Sequence, residues 1–130
     1  MHCRFPEDEF GSPGPKERPA LVTKVETRED TVDVHVAYGT SQGIDTVHAG
    51  ELIVPKEDPD AGLQKDTKFD LRNIVTLPFN EDWFAPDPLQ RFGRHPKRGK
   101  LNLENLDNKK KLHAAITEAR QGVRAATRRK

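Results

Sequence analysis

Thr31-Val32-Asp33-Val34-His35-Val36-Ala37-Tyr38 is the stretch on which the fold turns. Val32, Val34 and Val36 alternate with Asp33, His35 and Ala37, a period of two. Segment 31–38 therefore predicts a β-strand with one buried face. Upstream, Ala20-Leu21-Val22-Thr23-Lys24-Val25 is an apolar, β-branched run suited to a buried strand, and the polar Thr27–Asp30 between them reads as a turn. Downstream, the small and polar residues from Gly39 to Asp45 form a loop, and Glu51-Leu52-Ile53-Val54 is a short strand stopped by Pro55. After a loop over Lys56–Gly62, Thr67, Phe69 and Leu71 sit two apart and Ile74, Val75 and Leu77 follow. This predicts two short strands or one bent strand, with Arg72-Asn73 at the break. Asn80-Glu81-Asp82 before Trp83-Phe84 can open a short helical turn. Several short strands separated by turn signals predict a small barrel or roll.

The period changes towards the C-terminus. Leu112, Ala115, Ile116, Ala119, Val123 and Ala126 recur at three- and four-residue steps, which predicts an amphipathic helix starting from a cap at Asp107 or Asn108. Its other face carries Lys109, Lys110, Arg120, Arg124, Arg128 and Arg129. The apolar stripe is thin and alanine-rich, so this helix needs something to pack against. Residues 6–19, with Pro6, Gly11, Pro13, Gly14, Pro15 and Pro19, read as a long loop, and Pro86, Pro88, Gly93, Pro96 and Gly99 mark a linker. The expected organisation is a mainly β domain over 1–84, a Pro/Gly/basic linker over 85–106 and a basic amphipathic helix over 107–130.

At 130 residues, with 33% apolar and 33% charged side chains, the chain has room for one small core and a solvated surface. No apolar stretch approaches the roughly 20 residues of a membrane span, and the start lacks a secretory apolar run. One cysteine, Cys3, makes neither an internal disulfide nor, by itself, a zinc cluster. A cytoplasmic protein without metal or cofactor is the simplest expectation. The net charge of +1 hides an asymmetry: residues 1–84 hold nine Lys/Arg against seventeen Asp/Glu, and residues 85–130 hold thirteen against four. A basic tail points to nucleic acid or an acidic partner; attraction between the two halves is the plainer alternative.

Three blocks resemble the PemK/MazF toxins. Gly11-Ser12 followed by Arg18-Pro19-Ala20-Leu21-Val22 is similar to that family's Gly-Ser loop, Arg-Pro and buried strand. Val34-His35-Val36-Ala37-Tyr38-Gly39-Thr40-Ser41 resembles its next strand, which ends in Thr-Ser. Gly62-Leu63, Thr67 and Ile74-Val75-Thr76-Leu77 follow in the family's order. The resemblance covers roughly residues 3–78. It implies a small, strongly curved antiparallel Src-homology-type β-barrel, here with a C-terminal amphipathic helix, that forms a homodimer and is silenced by a cognate antitoxin protein. Where the family begins with a full strand, this chain has only His2-Cys3-Arg4-Phe5. Where some relatives carry an Arg and an Asp two residues apart on the late strand, it has Asp70 and Arg72 in the reverse order.

The resemblance further implies a metal-independent endoribonuclease, an mRNA interferase that cuts single-stranded RNA. The ribose 2′-OH attacks its neighbouring phosphate, so the protein supplies alignment, charge stabilisation and proton transfer. Arg18, Thr40 and Ser41 are then the catalytic candidates. A guanidinium grips two phosphoryl oxygens at once, and the hydroxyls can donate to non-bridging ones. Ser12, Lys16 and His35 are candidate substrate contacts. His35 also has a pKa suited to a general base, and Glu17 is a second candidate for that role. The rival reading is a non-catalytic member of the same barrel, a prophage or plasmid regulator that binds nucleic acid or protein.

Overall fold

A computed structural model describes the backbone of residues 1–6, 13–14, 16–85 and 96–128, with side chains as far as 121. The elements, in chain order, are β1 (His2–Cys3), β2 (Arg18–Thr27), β3 (Val32–Thr40), β4 (Glu51–Val54), β5 (Thr67–Pro78), β6 (Phe84–Ala85) and α1 (Leu106–Arg128). The strands form one curled, open antiparallel sheet in the order β4-β5-β3-β2-β1-β6. The mainly β architecture with a C-terminal helix is thus present, as a barrel-like sheet that does not close.

The alternation along β3 builds two cores. Val34 and Val36 point to one side, where they are buried with Cys3, Phe5, Ala20, Leu77 and Phe84. Ala37 points to the other side and is buried with Leu52, Val54, Phe69, Leu71, Ala115 and Ala119. A one-residue slip of β3 would exchange these sets, so the valine pattern fixes the register. In the first core, burial pushes the Cys3 thiol up to about 12. It is therefore a small apolar filler with no thiolate reactivity at neutral pH.

β5 is one bent strand. Along β3, Ala37 and Tyr38 are consecutive, whereas their partners on β5 are Ile74 and Asp70. Leu71, Arg72 and Asn73 are the extra residues, so the break expected at Arg72-Asn73 is a bulge and the strand continues through it. Bulges of this kind bend a strand and re-aim its side chains.

The helix packs on the sheet. Ala115 and Ala119 enter the second core, and Leu112 and Ile116 pack beside them. The cap is Asn105, two residues before the expected Asp107: its Oδ1 accepts from Asp107 N at 2.9 Å and Asn108 N at 3.3 Å. Asn108 is instead buried, and its Nδ2 donates to Asp58 Oδ2 and to the Asn102 carbonyl, each at 3.2 Å. Asn102 Nδ2 donates to Asp60 Oδ2 at 3.1 Å. Residues 96–105, expected as linker, are thereby lashed to the 58–62 loop, where a side chain on Gly62 would strike the Arg98 carbonyl. At the other end of the interface, Glu118 Oε2 accepts from Gly50 N at 2.8 Å.

Candidate functional site

The strand β2 begins at Arg18, which pairs with Cys3 of β1 on one side. On the other side Ala20 pairs with Tyr38 of β3. Extending that antiparallel register by two residues sets Arg18 across from Thr40. Gly39 holds the strands close at this point: a Cβ there would lie 2.6 Å from the Pro19 carbonyl oxygen and 2.7 Å from the Phe69 ring. Side chains two apart on a strand share a face, so Arg18, Tyr38 and Thr40 belong to one side of the sheet.

Arg18 lines an open cavity of about 330 Å³ together with Phe5, Pro6, Lys16, Tyr38, Asn73 and Val75. Its guanidinium carbon lies 5.8 Å from the centre of the Tyr38 ring, and Phe5 packs edge-on against that ring at 5.0 Å. Among the described residues Arg18 has no ion pair. A cation held by a ring alone keeps its hydrogen-bond donors for a ligand. Among the described residues the cavity walls carry Arg18 and Lys16 and no carboxylate, a setting that suits an anion.

Thr40 ends β3, and its Oγ1 accepts from Gln42 N at 3.1 Å, so it caps the turn that follows. Its O–H remains able to donate. Ser41, next in the chain, is exposed. The loop after them is pinned from beneath by Lys68. That lysine pairs across from Thr40 on β5, is 9% exposed, donates to the carbonyls of Gly43 and Thr46 at 3.0 and 3.1 Å, and sits 3.4 Å from Glu51. Lys68 was not singled out in the sequence, and nothing in its local pattern separates it from a surface lysine.

The remaining candidates fall elsewhere. His35 lies on the opposite face of β3 from Tyr38, in a cross-strand group with Glu26 Oε1 at 3.1 Å and Thr76 Oγ1 at 3.2 Å. Lys24 and His35 beside Glu26 hold that carboxyl below its usual range. Glu17 Oε1 is 3.4 Å from Arg4, whose guanidinium also donates to the carbonyls of Glu81 and Asp82. Ser12 lies outside the described residues. The reversed pair is an ion pair within the bulge: Arg72 donates from Nε to Asp70 Oδ1 at 2.9 Å and from its terminal nitrogen to Oδ2 at 3.3 Å. Asp70 in turn raises the Arg72 pKa. No cluster of metal-ligating side chains occurs among the described residues, and no helix is long and apolar enough to cross a membrane.

A second, larger cavity of about 420 Å³ lies between the sheet and the helix, lined by Leu21, Leu63, Phe69, Leu101, Leu112 and Ile116 among others. Its walls are mainly apolar, and it lies apart from the Arg18 cluster.

No protein-family model and no curated protein matches this chain. Among solved structures, one described as the crystal structure of an Mtb toxin is similar to it: 27% identical, covering 78% of this chain and 91% of that one, with a TM-score of 0.48.

Proposed function

We propose that this chain is a metal-independent endoribonuclease that cuts single-stranded RNA at the Arg18 cavity. One observation carries the proposal. Among the described residues, Arg18 lines an open cavity with Lys16 and Tyr38 and has its donors unclaimed by any ion pair, and the Ala20–Tyr38 register, run on by two residues, sets Thr40 opposite it. In this reading Arg18 grips two non-bridging oxygens of the scissile phosphate, Lys16 adds positive charge, and the free O–H of Thr40, aided by Ser41, donates to the same group. The nucleophile is the substrate's own 2′-OH, so alignment and charge stabilisation do most of the work. Among the described residues the cavity lining offers no carboxylate or imidazole; the 2′-OH proton passes to water as the P–O5′ bond breaks, and the departing oxygen takes a proton from water to leave as a 5′-OH. An antitoxin protein would silence the enzyme by covering this cavity.

A second reading is a barrel that grips RNA without cutting it: the described cavity lining holds two cations and the Tyr38 ring, which suffice for binding. Cleavage of a long mixed-sequence RNA in EDTA, by the parent, Arg18→Ala and Thr40→Ala, tests both readings. Chelator-resistant cutting that leaves a 5′-OH and falls in both variants is the expected result. Well-folded parent protein that binds RNA and leaves it intact would overturn the nuclease reading in favour of the binding one.

A further inference from the structure

Among the described residues, the cavity holds one uncharged side chain able both to donate and to accept hydrogen bonds through a planar amide. Asn73 is the last of the three bulge residues and lines the wall with Arg18, Lys16 and Tyr38. It is exposed, and among the described residues its amide has no hydrogen-bond partner. Its neighbours in the bulge are fully engaged. Leu71 is buried in the second core. Arg72 is clamped to Asp70 by two side-chain bonds, and Asp70 Oδ1 also accepts from the Arg72 backbone N at 3.0 Å. The Arg72 stem fills the space over Gly50, where a Cβ would lie 2.6 Å from its Cγ. The chain is thus held before Asn73 by Leu71 and the Arg72–Asp70 clamp and after it by the pairing of Ile74 with Ala37, and an amide held this way suits recognition better than one on a loop.

We propose that Asn73 reads the edge of an unpaired adenine next to the phosphate held by Arg18. The proposal rests on the RNA reading of the same site. An amide presents one N–H donor and one C=O acceptor side by side, and adenine presents the matching pair through its N6 amino group and N7. Single-stranded RNA exposes those edges, and proteins that read it combine edge hydrogen bonds with aromatic contacts such as Tyr38 can provide. Asp70 and Arg72 act as positioning residues that set where the amide stands.

The test uses short oligouridylates with one central adenine, guanine, cytosine or abasic site, placed on either side of the central phosphate. A 2′-deoxyribose at that step removes the nucleophile, so binding is read without cutting. Fluorescence anisotropy of the full chain should give about tenfold tighter binding of the adenine oligomer than of the abasic one. Asn73→Ala should erase that difference with an unchanged melting midpoint. Asn73→Asp should shift preference to guanine, whose N1–H and N2–H face two carboxylate oxygens. Arg18→Ala should weaken all oligomers alike. An adenine preference that survives both Asn73 variants overturns the proposal, and so does a parent with no base preference. If long RNA is nonetheless cut, the nuclease reading stands without this inference. A preference that follows Asn73 without any cutting leaves the inference standing and removes the nuclease.

Discussion

Two cations occupy one cross-strand row on the same side of the sheet, and they differ in everything except charge. Lys68 of β5 pairs across from Thr40, and the Ala20–Tyr38 register, extended by two residues, sets Arg18 of β2 on Thr40's other side. Lys68 is buried and surrounded by two carbonyls and Glu51. Arg18 is half-buried, opens onto a cavity, lies over the face of Tyr38, and has no ion pair among the described residues. A buried charge is tolerated when its partners are complete, which marks Lys68 as a structural pin for the loop after Thr40. A charge whose donors remain unspent beside a cavity is poised for a ligand. Completeness of partners, rather than residue type or position on a strand, separates the two.

The largest effect should come from the pinned cation. Lys68→Ala leaves Glu51 buried without its counter-charge and two carbonyls without a donor. The expected loss of stability is about 3–5 kcal/mol, read as a lower urea midpoint at unchanged slope. A loss below about 1 kcal/mol, the scale of an exposed pair, would break the comparison by making Lys68 an ordinary surface charge.

Arg18→Ala should give the opposite pattern. Stability stays within about 0.5 kcal/mol of the parent, as for surface changes that break no network, while RNA cleavage falls about 10²–10³-fold, the scale of one lost transition-state donor. Parallel urea melts and single-turnover rates check both halves. A variant that unfolds as readily as Lys68→Ala would show that Arg18 is structural as well.

What the sequence made legible follows the same division. Alternation at Val32, Val34 and Val36 exposed the strand, the change of period exposed the helix, and the break at Arg72-Asn73 was visible because these two polar residues interrupt the apolar pattern between Leu71 and Ile74. Arg18 and Lys16 were marked only by what the resemblance of the Arg18-Pro19 block implies, since local pattern alone makes them loop residues. The contacts that fix the tail were hidden. Asp58, Asp60, Asn102 and Asn108 are common loop and cap residues, and their partners lie 42 to 50 positions away. Likewise His35 looked available on an exposed strand face, and only the pairing of β2 with β3 shows that this face is the one turned away from Arg18. Local pattern reports which side of a strand is buried; it says nothing of which distant polar groups meet.

Those hidden contacts give a third, smaller effect. Asn108→Ala removes the donor to Asp58 and Asn102, two half-buried acceptors that water can reach, and the expected cost is about 0.5–1.5 kcal/mol, the net worth of an ordinary hydrogen bond. With the lash weakened, limited proteolysis should cut faster near residues 96–105 than in the parent. An unchanged rate would mean that the apolar contacts of Leu112, Ala115, Ile116 and Ala119 alone hold the helix down.

The smallest effect sharpens the comparison most, because it addresses what holds Arg18 in place of an ion pair. If the Tyr38 ring fixes the guanidinium, Tyr38→Leu should lower cleavage about three- to fivefold, matching the roughly 0.5–1 kcal/mol of a cation resting on an exposed ring. Tyr38→Phe keeps the ring and its edge contact with Phe5, and it should leave the rate near that of the parent. A drop in both variants would assign the effect to the phenolic O–H, making Tyr38 a hydrogen-bonding group of the site. A drop in neither would mean that the Cys3 pairing and the close approach at Gly39 are enough to aim Arg18, so that backbone register alone does for the free cation what Glu51 and two carbonyls do for the bound one.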